Sequence, residues 1–188
     1  TLGGAERLMF TAAFDRYILT VAPSSLPEGH DEYLRRASLV EQFDLSNPEG
    51  TFCFIGAGLA TDDWPRLVIE QRYSPAGYGF LPGVLLAHDT DVLFVGAGTR
   101  LLAYRVSVPA RLWEDDASCG FFSWERHGRT VLMLAELELA AWAVTGEKLW
   151  SFPVEPPWSH SVTSPTVTVD VMGTITTFSL TVGPRTAT

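Results

Sequence analysis

Phe54-Ile55-Gly56-Ala57-Gly58 returns 40 residues later as Phe94-Val95-Gly96-Ala97-Gly98, and looser copies begin at Met133 and Val169. Each start is followed nine or ten residues on by an aromatic: Trp64, Tyr104, Trp142 and Phe178. A period of 36 to 40 residues constrains the fold strongly. A unit that short cannot bury its own apolar face, so successive units must cover one another.

The runs between the phrases read as strands. Residues 8–12, 17–22, 51–55, 67–73, 84–87, 92–95, 101–108, 130–134 and 166–171 are rich in Val, Ile, Leu, Phe and Thr and are bounded by Gly, Pro, Asp or Ser. Residues 92–95 are apolar throughout, as in a strand covered on both faces, whereas 166–171 alternate as a half-buried strand does. Two segments read both ways. Residues 31–43 fit a helix, or one ending in a strand at 39–45. Residues 132–144 are rich in helix-forming Ala, Leu and Glu, with Gly146 placed to cap. Glu136-Leu137-Glu138-Leu139 alternates with period two, however, and the repeat sets this segment opposite a strand, so strand is the expectation. Loops are expected at 23–29, 46–50, 74–83 and 151–157, where most prolines lie. No Gly/Ser or charged linker divides the chain, so one β-rich domain over 1–188 is expected, with a frayed tail at 181–188. The expected fold is all-β, with about four blade-like antiparallel repeats forming a small or partial propeller. The alternative is a β-sandwich or barrel with one short helix.

Ala141-Trp142-Ala143-Val144-Thr145-Gly146-Glu147-Lys148-Leu149-Trp150 resembles the blade motif of the quinoprotein-type (PQQ-like) β-propellers, matching it at Ala141, Thr145, Gly146 and Trp150. Residues 92–113 look like an earlier copy that keeps Ala103 and Trp113. The resemblance covers about residues 92–150. It implies that Thr145-Gly146 forms a turn between outer strands and that the tryptophans dock between neighbouring blades. The motif's Asp is replaced by Ala143 and Arg105, and nothing matches that family's cofactor or metal positions, so no cofactor is expected.

Charge narrows the partners. Asp and Glu number 22 against 13 Lys and Arg, a net charge of −9. Nucleic acid and anionic membrane reward basic patches and are not expected partners. A protein partner, basic for preference, is expected, and a homodimer is open. No apolar stretch reaches the 18 residues of a membrane span, and no signal-peptide pattern occurs at the start, so a cytoplasmic location is the default. Cys53 and Cys119 fit no metal or redox spacing, and Cys53 reads as a small buried hydrophobe.

No nucleophile motif, phosphate loop or calcium loop is present. Trp113-Glu114-Asp115-Asp116 reads as a solvated turn. His88-Asp89 and Glu125-Arg126-His127 offer acid/base groups, but neighbours on a strand point to opposite faces and are not expected to cooperate. Aromatics cluster more tightly: Phe121, Phe122, Trp124, Trp150, Phe152 and Trp158, interleaved with Pro153, Pro156 and Pro157. Rigid aromatics beside extended proline segments suit a recognition surface, although core filling accounts for Trp124 and Trp150 as well. The candidate binding residues are therefore Trp124, Glu125, His127, Trp150, Phe152, Glu155, Trp158 and His160; no catalytic or metal residue is assigned. The functional expectation is a non-enzymatic protein-interaction module. The alternatives are a toxin-immunity or inhibitor-type protein, and an enzyme with a site at the loop ends that uses Glu125, His127 or the 113–116 carboxylates.

Overall fold

The computed structural model describes residues 9–74 and 81–185. The chain divides into two compact units. The first holds residues up to 74 together with Tyr104–Arg111; the second holds 81–103 and 112–185.

The first unit is a sheet with a helix on it. Strands β1 (Phe10–Phe14), β2 (Tyr17–Ala22), β4 (Thr51–Leu59) and β5 (Leu67–Tyr73) pair as an antiparallel meander. Between β2 and β4 the chain makes an excursion through helix α1 (His30–Arg36) and strand β3 (Leu39–Phe43). Strand β3 joins the edge beside β5, parallel to it, so this sheet is not purely antiparallel. The ambiguous 31–43 segment thus resolves into helix followed by strand. Gly29 opens α1 in the left-handed region (φ 73°). Asp31 and Glu32 in the first turn, and Arg35 and Arg36 in the last, suit the helix dipole. Tyr33, Leu34 and Ala37 lie over Ala22, Phe54 and Val68 of the sheet, which is what holds so short a helix.

The second unit carries three meanders in chain order. Strands β6 (Gly83–Ala87), β7 (Val92–Ala97), β8 (Arg100–Arg105) and β9 (Ala110–Asp116) form one sheet, whose far hairpin end groups with the first unit. Strands β10 (Phe121–His127), β11 (Thr130–Ala135), β12 (Glu138–Ala143) and β13 (Lys148–Pro153) form the next. Strands β14 (Trp158–Thr163), β15 (Thr166–Val171) and β16 (Thr174–Ser179) form the last. The fold is all-β with four blade-like sheets, as the repeat requires. Residues 132–144 are strand: β11 and β12.

The β10–β13 sheet is covered on both faces, and alternation sorts its side chains. Val131, Met133, Ala135, Ala140 and Trp142 join a core with Val92, Phe94, Leu101 and Ala103 of the preceding sheet. Leu132, Leu139, Ala141 and Trp150 join another with Val167, Val169 and Phe178 of the following sheet. Each buried Val, Leu or Met contributes about 1.5–3 kcal/mol, so sheet-on-sheet packing dominates the stability of this unit.

The repeated phrase does different work in its copies. Phe94 to Ala97 lies on the second strand of its meander, as do Met133 on β11 and Val169 on β15, and the paired aromatics Tyr104, Trp142 and Phe178 sit on the third strands. Phe54 to Gly58 falls on the third strand of its sheet, and Trp64 lies in the β4–β5 connection. The glycines make room. A Cβ on Gly96 would lie 2.6 Å from the Phe121 ring, and one on Gly58 would lie 3.1 Å from the Pro65 Cα.

The turn and the tryptophan contacts expected at 145–150 and at Trp113 are present. Thr145 and Gly146 form the β12–β13 turn, with Gly146 at φ 95°. Trp150 on β13 donates its indole N–H to the Leu180 carbonyl of the following sheet (2.8 Å) and meets Phe178 edge-on. Trp113 on β9 donates to the Gly146 carbonyl (2.5 Å) and stacks on Trp142 at 5.4 Å. Each outer-strand tryptophan thus locks its sheet to the next.

Candidate functional site

The aromatic candidates separate into core and surface. Trp124 packs among Phe94, Phe121 and Trp142, so it fills the core between sheets. Trp150 is 7% exposed and locks two sheets together. Phe152 packs against Phe178 with ring centroids 5.2 Å apart. Glu155 is exposed in the connection after β13.

Trp158, His160, Glu125 and His127 come together. The Trp158 indole N–H reaches the Glu136 carbonyl (3.2 Å), and its ring lies 6.0 Å from that of His160. The Glu125 Oε2 is the hub. His160 Nε2 stands 3.0 Å from it and His127 Nε2 3.3 Å, linking the first strands of two successive sheets, β10 and β14. The expectation that Glu125 and His127 do not cooperate is corrected here. They are two residues apart rather than adjacent, so the strand pleat puts them on one face. Burial alone would raise the Glu125 carboxyl pKa, but hydrogen bonds from His160 and His127 outweigh it and bring the pKa below its ordinary value. Among the described residues, no group of three or more His, Cys, Asp or Glu side chains is disposed to hold a metal ion.

The acidic run is not a turn. Glu114, Asp115 and Asp116 lie at the end of β9. Glu114 accepts from Arg100 (2.9 Å) and Asp115 from Lys148 (2.6 Å), so neighbouring strands neutralise these carboxylates. His88 is exposed beside Asp89, whose carboxylate is taken by Arg126 (2.8 Å).

His127 also lines a cleft at the tips of the β10–β11 and β14–β15 hairpins. The cleft is about 640 Å3 and is bordered by Arg126, Arg129, Ser164 and Thr181. Gly128 turns the first hairpin at φ 61°, and Arg126 Nε donates back to its carbonyl (3.0 Å). Arg126 was named only as the residue between Glu125 and His127, and Arg129 was not singled out, because an arginine before a hairpin turn and one within it carry no pattern of their own.

A buried carboxylate in the first unit went equally unmarked. Glu70 on β5 is 1% exposed; it is held by His30 Nε2 at the start of α1 and by Gln42 Nε2 (2.7 Å). The cleft beside His30 is lined by Glu28, Asp31 and Glu32. The sequence did hold a signal here: Glu70-Gln71 interrupts the otherwise apolar run Leu67-Val68-Ile69.

Among the described residues, large apolar side chains are exposed on two of the strands that end a sheet. Strand β1 exposes Phe10 and Phe14 in the first unit. Strand β16 ends the last sheet of the second unit, with Ile175 68% exposed and Met172 and Val182 exposed beside it. A single bridge, Ser179 to Gly183, touches the far end of β16.

These features define a class: an all-β protein of blade-like meanders locked by outer-strand tryptophans. No family model matches the chain, and no curated protein matches it. Solved structures resemble it at low identity. BamB from Moraxella catarrhalis, a PQQ-like β-propeller protein, is 12% identical with a TM-score of 0.46 over 89% of this chain and 41% of its own. The computationally designed Ika4 protein is 14% identical with a TM-score of 0.43, over 60% of this chain and 74% of its own. Hsv2 from Kluyveromyces lactis is 12% identical with a TM-score of 0.31, over 52% and 32%. The chain spans about two fifths of the BamB length and a third of that of Hsv2. The fold assignment rests on the four sheets themselves, not on these likenesses.

Proposed function

We propose that this chain is a protein-interaction module that takes an extended segment of a partner protein along the open edge of β16. The observation that carries this reading is the character of that edge. Among the described residues, β16 stands at the edge of its sheet, paired along its length with β15 alone. Thr174-Ile175-Thr176-Thr177-Phe178-Ser179 contains no charge and no proline. Proteins that keep a sheet edge to themselves blunt it with Lys, Pro or a bulge. An unblunted edge with an exposed isoleucine favours strand addition, in which main-chain hydrogen bonds supply affinity and alternate side chains supply selectivity. The net charge of −9 favours a basic partner and a salt-sensitive association rate.

The test is capture of a partner from the native host with wild-type protein and with Ile175→Lys. A charge on an exposed strand residue changes folding by less than about 0.5 kcal/mol but places a lysine against the incoming strand. Loss of capture with Ile175→Lys, and retention with Glu155→Lys at an exposed loop position, is expected. Equal capture by all three proteins would remove β16 as the docking edge. Sedimentation of the purified chain separates self-pairing along this edge from pairing with another protein.

A further inference from the structure

We infer that the cleft at the tips of the β10–β11 and β14–β15 hairpins is a binding site for a single oxyanion group, a carboxylate or a phosphate. The inference starts from charge. Acids outnumber bases in this chain by 22 to 13, so a surface cleft lined by chance is expected to be acidic. The cleft beside His30 is of that kind, with Glu28, Asp31 and Glu32 in its wall. This one is the reverse: Arg126, His127 and Arg129 line it, and no Asp or Glu does among the described residues.

The nearby acids are already committed. Asp89 is held by Arg126 Nη2 (2.8 Å), and Glu125 is held by His160 and His127. Arg129 is different. It is exposed, and its guanidinium has no ion-pair or hydrogen-bond partner among the described residues, leaving its planar fork of donors for a ligand. Arg126 is already committed, its Nη2 to Asp89 and its Nε to the Gly128 carbonyl, so Arg129 is the cation in this lining that is left for a ligand. The Ser164 and Thr181 hydroxyls on the opposite wall add neutral donors.

The hairpin explains why these groups converge. Gly128 and Arg129 form a two-residue connection between His127 and Thr130, which pair across the ladder. The turn brings Arg126 and Arg129 to either side of the hairpin tip, where the strand pleat alone would separate them. The Arg129 carbonyl is tied to the Val144 N–H at 3.0 Å, which anchors the tip to the sheet. A fork of this kind meets two oxygens of a carboxylate or phosphate at once, and hydrogen bonds to a charged group are about twice as strong as neutral ones. The site is independent of strand addition at β16, and either can fail without the other.

The test uses the whole chain, labelled with nitrogen-15, titrated with inorganic phosphate and separately with acetate at constant ionic strength. Saturable shifts at the amides of Gly128, Arg129, Ser164 and Thr181 are expected with at least one anion. Arg129→Ala is expected to weaken binding about tenfold or more, from the loss of charge-assisted bonds. Arg129→Lys, which keeps the charge but not the fork, should fall between. Arg35→Ala, on α1 in the other unit, should bind as wild type does. Phosphate alone binding assigns a phosphoryl ligand, and acetate binding assigns a carboxylate. Absence of saturable shifts with both anions, or unchanged affinity in both Arg129 variants, would overturn the assignment.

Discussion

Three tryptophans in one unit should answer replacement by phenylalanine in three different ways. Trp150 is 7% exposed and gives its N–H to the Leu180 carbonyl, itself on a residue 4% exposed. Phenylalanine keeps part of the ring contact with Phe178 but strands that carbonyl, and a buried unsatisfied acceptor costs about 1–3 kcal/mol. The lost ring volume adds a cavity cost, so Trp150→Phe should destabilise by about 2–4 kcal/mol, and Trp150→Ala by somewhat more than the usual ~3–5 kcal/mol. Trp113 makes the same kind of bond, to the Gly146 carbonyl, but is half-buried, so water can replace the donor and the cost should fall to about 1 kcal/mol. Trp124 reverses the sign of the polar contribution. Its Nε1 is buried with no acceptor among the described residues, so phenylalanine removes that donor while giving up some packing. The two effects are each about 1–3 kcal/mol and oppose one another, so Trp124→Phe should be near neutral. The assay is urea unfolding followed by near-ultraviolet circular dichroism, reading midpoint and slope together. A Trp150→Phe cost no greater than that of Trp124→Phe would refute the reading of Trp150 as a lock between sheets.

Other expectations follow from single sites. Gly96→Ala puts a methyl 2.6 Å from the Phe121 ring in a fully buried layer, and overpacking of this kind should cost about 1–3 kcal/mol by the same unfolding assay. Glu125 should titrate below its ordinary value by carbon-13 NMR. In the His127→Ala/His160→Ala double variant it should titrate above that value, because burial, the largest single influence, is then unopposed. The sign for stability follows: a lowered folded pKa contributes stabilisation that is present above the unfolded carboxyl pKa, about 4.3, and is lost as pH falls through the folded value. A midpoint that stays low in the double variant would remove the histidines as the cause. Burial pushes the Cys53 thiol up to about 12, while Cys119 is exposed, so one thiol per native chain should react with a chromogenic disulfide and two after denaturation.

The sequence made the strands of the second unit legible where one face meets water. Residues 166–171 alternate, and β15 is found at Thr166–Val171. The signal failed where both faces are covered. The β11 and β12 strands show apolar residues at nearly every position because two cores draw on alternate side chains, and continuous apolar content does not distinguish strand from helix. Edge strands were harder still. Strands β10, β14 and β16 carry Ser, Thr, His and charged residues that any loop tolerates, and β9 hides its carboxylates in cross-strand pairs with Arg100 and Lys148. The site was half legible. Trp158, His160, Glu125 and His127 were named and do converge, whereas the arginines beside them acquire meaning only when the hairpin tips are brought together. Three copies of the repeated phrase fall on the second strands of their meanders, a position the sequence alone did not assign. The first copy shares the letters but not the position, because a glycine beside Pro65 and a glycine beneath Phe121 answer the same need for space in different places.

Hydrogen exchange along β16, compared between the free chain and its complex with a captured partner, bears most directly on the proposed function. Strand addition should protect alternate amides between Thr174 and Ser179, those whose N–H groups face away from β15, and Ile175→Lys should abolish that protection together with binding. A complex that forms at full affinity while every β16 amide exchanges as in the free chain would contradict it.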